Sequence, residues 1–154
     1  MTSWQLAVGS WQETEVGCIC FGSPTSCSSH HMANMSSQFR NLIAWQKSVD
    51  LAVRTYRICE TFPRYEQFGL AQQMRSAAVS VPSNVAEGCG RGTLPDYRRF
   101  LLHARGSVYE LETQIEIARR IEFITEKDAS GLTADATDVA RLINGIIREL
   151  NSRQ

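Results

Sequence analysis

GLAQQMRSAAVSVPSNVAEGCGR, residues 69–91, is the stretch whose periodicity decides the fold. Leu70, Met74, Ala77, Ala78, Val81 and Val85 recur at three- and four-residue spacings, which places them along one side of a helix. Pro82 stands inside that pattern. It has no N–H to donate to the carbonyl of Ala78, and its ring crowds that carbonyl, so a helix kinked at this proline is expected. Ser76, Ala77, Ala78, Ser80, Ser83 and Ala86 are small enough for a neighbouring backbone to approach closely. Gly88 and Gly90 supply the stop signal. Ser80, Asn84 and Glu87 follow one another at helical spacing and share one side. They read either as packing groups that satisfy carbonyls freed by Pro82 or as a polar cluster at an interface.

Working outward, an amphipathic helix precedes this stretch from about Phe39 to Thr61, with Leu42, Trp45, Val49, Ala52, Tyr56 and Cys59 as its expected apolar stripe. Its place in that stripe makes Trp45 a core residue, not a stacking ligand. Pro63 closes the helix, because the residue before a proline avoids helical geometry. Downstream, Thr93 and Asp96 fit a capping box, with Pro95 tolerated in the first turn. The helix they open, about Leu94 to Glu122, carries Tyr97, Leu101, Ala104, Val108, Leu111, Ile115 and Ala118 at alternating four- and three-residue steps, a seam suited to shallow helix crossings. Phe100, Ile117 and Ile121 widen its apolar face, so it is expected to touch neighbours on more than one side. Thr125 with Asp128 caps a fourth helix through about Leu150, whose stripe is Leu132, Ala136, Val139, Ile143, Ile146 and Leu150. Short connections and no comparable strand pattern predict an all-α antiparallel up-down-up-down four-helix bundle over residues 38–154.

Residues 1–37 are a different material. Glycine, serine and proline punctuate them, and they predict a disordered or loosely attached tail. Cys18, Cys20, Cys27, His30 and His31 are zinc-ligand types, but their spacing lacks a paired C-x2-C, and no metal site is expected. Met32 and Met35 stand just before the periodic pattern, and a start at either is an alternative reading of the residues upstream.

The chain of 154 residues has sixteen basic and sixteen acidic side chains. Residues 1–37 hold only Glu13 and Glu15, so 38–154 carry sixteen bases against fourteen acids, and fourteen of those bases are arginine. Arginine favours bidentate contact with phosphate or carboxylate, so the excess fits either an anionic ligand or Arg–Glu pairing between helices. No run of eighteen apolar residues exists, and the N-terminus lacks the basic-then-apolar order of a secretion signal, which points to the cytoplasm and to no membrane partner. Five cysteines, an odd number, fit reduced thiols.

Catalysis is not expected. His103 is the one histidine outside the tail, no Ser–His–Asp or Cys–His set suggests itself, and no Glu-x-x-His of a di-iron bundle occurs. The run Gly88-Cys89-Gly90-Arg91-Gly92 lacks the Lys-Ser/Thr and preceding strand of a phosphate-binding loop. No cofactor and no small-molecule substrate are implied. The candidate nucleic-acid-binding residues are Arg91, Arg98, Arg99 and Arg105, clustered near the turn between the second and third helices and on the helix after it, with Arg75 expected to approach from the second helix. No aromatics of the stacking kind are seen interleaved with them. The candidate packing or polar cluster is Ser80, Pro82, Asn84 and Glu87.

Ala44-Trp45-Gln46-Lys47, Phe62-Pro63 with Glu66, Gly69-Leu70 and Gln73-Met74-Arg75 lead into a long block running from Arg75 to Gly88, then Gly90-Arg91. Tyr97, Arg99-Phe100-Leu101, residues 104–107 and residues 110–114 continue the pattern. With these motifs the chain resembles, from about Phe39 to Leu150, the four-helix bundle proteins encoded within intervening sequences of bacterial 23S ribosomal RNA genes. The resemblance implies antiparallel bundles assembled into ring-like homopentamers. It also implies kinship to the accessory variability proteins of diversity-generating retroelements, whose basic surface binds nucleic acid and a reverse transcriptase. The expected function is that of a non-enzymatic, oligomeric accessory to RNA or DNA, through an arginine-rich surface. The alternative is a protein-binding structural scaffold with no nucleic-acid ligand.

Overall fold

The computed structural model describes residues 39–152, and within them the chain is all helix, with no strands. The tail and its cysteine and histidine residues lie outside the described residues. A short 3-10 turn at Phe39–Asn41 leads into α1 (Ile43–Cys59), and a second at Arg64–Glu66 interrupts the connection to α2 (Leu70–Gly90). Then come α3 (Leu94–Arg120) and α4 (Glu126–Ser152). Each helix packs against its neighbours in sequence, and α1 packs on α4 to close the set, while the diagonal pairs stay apart. One continuous core results, with Leu51, Met74, Val81, Leu101, Leu111, Leu132 and Ile143 among its fully buried members.

The third and fourth helices bury the faces that their periodicity marks: Leu101, Ala104, Val108, Leu111, Ile115 and Ala118 in α3, and Leu132, Ala136, Val139, Ile143 and Leu150 in α4. The first helix is rotated relative to the expected stripe. Its buried residues are Ala44, Ser48, Leu51, Ala52, Thr55 and Cys59, whereas Tyr56 is exposed and Trp45 half-buried. Two polar residues make that rotation affordable. Ser48 Oγ donates to the Trp45 carbonyl at 2.7 Å and Thr55 Oγ1 to the Leu51 carbonyl at 2.8 Å, so each hydroxyl enters the core already satisfied.

Helix α2 runs without interruption through Pro82. Its small residues Ala77 and Ala78 are fully buried, and at its end Gly88 lies directly under Tyr97 and Phe100 of α3. Gly92, at φ 74°, then turns the chain through a left-handed conformation that glycine adopts without a steric penalty. Thr93 starts α3 by accepting the Asp96 N–H at 3.2 Å, and its hydroxyl donates to Asp96 Oδ2 at 2.8 Å. Thr125 and Asp128 repeat the arrangement at α4, at 3.1 and 2.7 Å. Thr93→Ala is expected to lower stability by about 1 kcal/mol, the usual value of an N-cap, read from urea unfolding.

At the other end Phe123 receives Phe62 and Tyr65 edge-on, with centroids 5.6 and 6.3 Å away. Gly131 also finds a reason here. The Arg54 guanidinium of α1 lies across it to reach Asp135 at 2.6 Å, and a side chain at 131 would collide with that arginine.

Candidate functional site

The five arginines singled out above fall into three groups. Arg75 is near the start of α2, roughly 24 Å along the helix axis from Arg91. Its guanidinium donates to the side-chain and backbone oxygens of Gln67, at 3.2 and 2.8 Å, and lies 6.0 Å from the Tyr56 ring centre. It fastens the connection between α1 and α2. Arg98 and Arg105, seven residues apart, share a face of α3. Arg105 donates to Asn144 of α4 at 3.2 Å, and Arg98 Nε is buried without a hydrogen-bond partner.

Arg91 and Arg99 are brought together around Phe100. Their guanidinium carbons lie 5.0 and 5.4 Å from its ring centre, a cation–π arrangement on both counts. Each arginine is also held by a carboxylate: Arg91 pairs with Glu87, and Arg99 with Asp96 at 3.0 Å. His103 stands beside the same ring, tilted, at 6.0 Å. An aromatic is therefore interleaved with the arginines, contrary to the reading of the sequence. Phe100 follows Arg99 directly, but its approach to Arg91 depends on the turn at Gly92 and on the close seat of Gly88. Linear spacing does not display that.

Of the polar cluster, Asn84 Nδ2 donates to the Ser80 carbonyl at 2.7 Å, and Ser83 Oγ to the Val79 carbonyl at 2.8 Å. Glu87 turns instead to Arg91, so the cluster continues into the arginine group.

Two free thiols, Cys59 and Cys89, stand among the described residues. Burial pushes the Cys59 thiol up to about 11, against the opposing pull of Arg75, and burial likewise raises the Cys89 thiol, which is hydrogen-bonded to Tyr97. Both are held as thiols, not the nucleophilic thiolates. Among the described residues no cluster of three histidine, cysteine, aspartate or glutamate side chains could hold a metal ion, and no helix is long and apolar enough to cross a membrane.

An ion-pair network of Glu116, Arg119, Arg120 and Glu126 lies at the far end of α3. Glu116 accepts from Arg119 at 2.8 and 2.9 Å and from Arg120 at 2.7 Å, and Arg119 also reaches Glu126 of α4 at 3.1 Å. These hydrogen bonds hold the Glu116 carboxyl at about 2. Because this folded value is below the unfolded one of roughly 4.3, its stabilisation is present above the unfolded value and is lost as pH falls toward 2. An NMR titration of the Glu116 carboxyl is expected to show a midpoint near 2. A midpoint at the ordinary glutamate value would mean the network does not form in solution.

The widened apolar face expected of the third helix is present in part on its outward side. Leu102, Tyr109 and Ile117 of α3 and its C-cap Ile121 are 37%, 48%, 45% and 46% exposed and follow one outward side, with Gly106 and Thr113 between them and Glu112, Glu116 and Arg120 alongside Tyr109 and Ile117. Nothing lies within 4 Å of where a Gly106 Cβ would sit.

In comparison with known proteins, the family model described as 23S rRNA-intervening sequence protein matches residues 40–145. A protein with unknown function from the S23 ribosomal protein family of Bacteroides thetaiotaomicron, known from a crystal structure, is 24% identical, with a TM-score of 0.65 over 68% of this chain and 98% of that one. At that identity the likeness is one of fold. No curated protein matches the chain.

Proposed function

We propose, from the premise that the chain belongs to the 23S rRNA-intervening sequence protein family, that it is a non-enzymatic, self-associating helical bundle of the cytoplasm that serves as a nucleic-acid or ribonucleoprotein accessory. The bundle is antiparallel, up-down-up-down, with a bend at Pro82, and it assembles into the homopentameric ring that the family resemblance implies. Kinship to the retroelement accessory proteins belongs to the same reading. The observation that carries it is the exposed apolar side of α3. Four large side chains at helical spacing in water, around an unfilled glycine, are what a helix keeps when another chain covers it. The nucleic-acid contact falls at the bundle end where Arg91 and Arg99 gather around Phe100. Arg105, turned to Asn144, braces α3 against α4 from within the subunit, and Arg75, turned to Gln67 at the other end of α2, lies outside that surface.

A second reading, a protein-binding scaffold without a nucleic-acid ligand, is favoured by the ion pairs of Arg91 with Glu87 and Arg99 with Asp96. Light scattering at micromolar concentration tests the assembly: a multiple of the subunit mass is expected, and a monomer would sink the ring. Titration with structured RNA and with duplex DNA separates the two roles, since a scaffold binds neither.

A further inference from the structure

The arginines at the α2–α3 end are poorly arranged for gripping a phosphate backbone. Arg91 and Arg99 bring two positive charges and Glu87 and Asp96 return two negative ones, so only Arg98, on the adjoining face of α3, is left unbalanced. Affinity for a duplex grows with the number of phosphates neutralised, and one unbalanced charge supplies little of it. The geometry offers flat surfaces instead. Each guanidinium is fixed twice, against the Phe100 ring and by its carboxylate, while the side chains remain 51% and 60% exposed. A guanidinium so held keeps its plane in one orientation with its charge largely answered. The His103 imidazole, exposed beside the same ring, adds a third plane. Nucleobases stack on arginine and aromatic planes wherever they are not already stacked within a duplex.

We infer that the Arg91–Phe100–Arg99 cluster with His103 is a stacking platform for unpaired nucleobases, so that the ligand is a single strand or a loop, not a duplex. This rests on the nucleic-acid reading above and narrows it to one ligand class.

The test uses the full chain and fluorescence anisotropy with an unstructured labelled oligonucleotide of about ten residues, as RNA and as DNA, each alone and annealed to its complement. The single strands are expected to bind at least about tenfold tighter than the duplexes. With one phosphate neutralised, log Kd should rise with log salt at a slope of about 0.7. RNA and DNA strands should agree within about threefold, because the base faces are common to both. Arg99→Lys keeps the charge and loses the plane, and it should weaken single-strand binding at least about fivefold. Phe100→Leu should do the same by releasing both arginines, with thermal unfolding confirming that the variant is folded. Equal or tighter duplex binding, a slope of about 3 or more, or unchanged binding by Arg99→Lys would overturn the platform while leaving a nucleic-acid role standing. No binding of any strand or duplex would remove both.

Discussion

Gly88→Val is expected to destabilise the protein by about 3 kcal/mol, the upper end of the usual overpacking cost. A Cβ at this position would sit 2.9 Å from Phe100 Cβ, 2.9 Å from Tyr97 Cδ2 and 3.3 Å from the Tyr97 carbonyl oxygen. Two of these atoms belong to or adjoin the α3 backbone and cannot swing aside as a side-chain tip would. Relief comes from parting α2 from α3 at this contact. Gly90, two residues on, has nothing within 4 Å of its Cβ position. Gly90→Ala is therefore expected to be neutral or slightly stabilising, by up to about 1 kcal/mol. Urea unfolding of the two variants reads the difference, and similar stabilities would disprove the close seat. Separation at this crossing should also disperse the arginines around Phe100.

Gly106→Leu is expected to do opposite things to the subunit and to the assembly. A glycine inside a helix costs about 1 kcal/mol relative to alanine, and leucine is nearly as good a helix former as alanine. With nothing within 4 Å of its Cβ position, the substitution starts into open space on an exposed side of α3. The isolated bundle should therefore gain up to about 1 kcal/mol. In the assembly the added side chain stands between Leu102 and Tyr109, where the facing chain is proposed to lie, and the mass by light scattering should fall to that of a monomer. Ile117→Glu attacks the same face by another route. A carboxylate at this 45% exposed site costs the monomer little, but buried against a second chain it loses its hydration. Either variant retaining the assembled mass at micromolar concentration would place the seam elsewhere.

The faces of α3 and α4 were legible because their buried residues, Gln114 apart, are apolar and their caps are local. Thr93 with Asp96 and Thr125 with Asp128 each act within four residues, so the sequence carries the whole device. Helix α1 was harder. Its buried face includes Ser48 and Thr55, which no apolar pattern reports, and it leaves Tyr56 outside to meet Arg75 from α2. A hydroxyl bonded to its own helix carbonyl is polar in sequence and apolar toward its neighbours. Periodicity weighs only the first property, and so the expected stripe is rotated.

The candidate site divides in the same way. Arginine identity and number were plain from the chain, and so was their concentration near the turn at Gly92. The partners were not. Arg75 holds Gln67 across a folded connection, Arg105 holds Asn144 on another helix, and Arg91 meets Phe100 across a turn. Gly131 shows the same limit: read alone it is a weak point in α4, and only the crossing of Arg54 makes it a passage. By itself the sequence determined what is local: four helices, their caps and breaks, and an excess of arginine beyond residue 37. Tertiary structure alone decided which way α1 faces, which arginines share a surface, and that Phe100 meets two of them. The reason is physical. Helix formation and capping act over three or four residues, whereas cation–π and interhelical contacts need atoms that only the packing of α2 on α3 and α3 on α4 brings within a few ångströms.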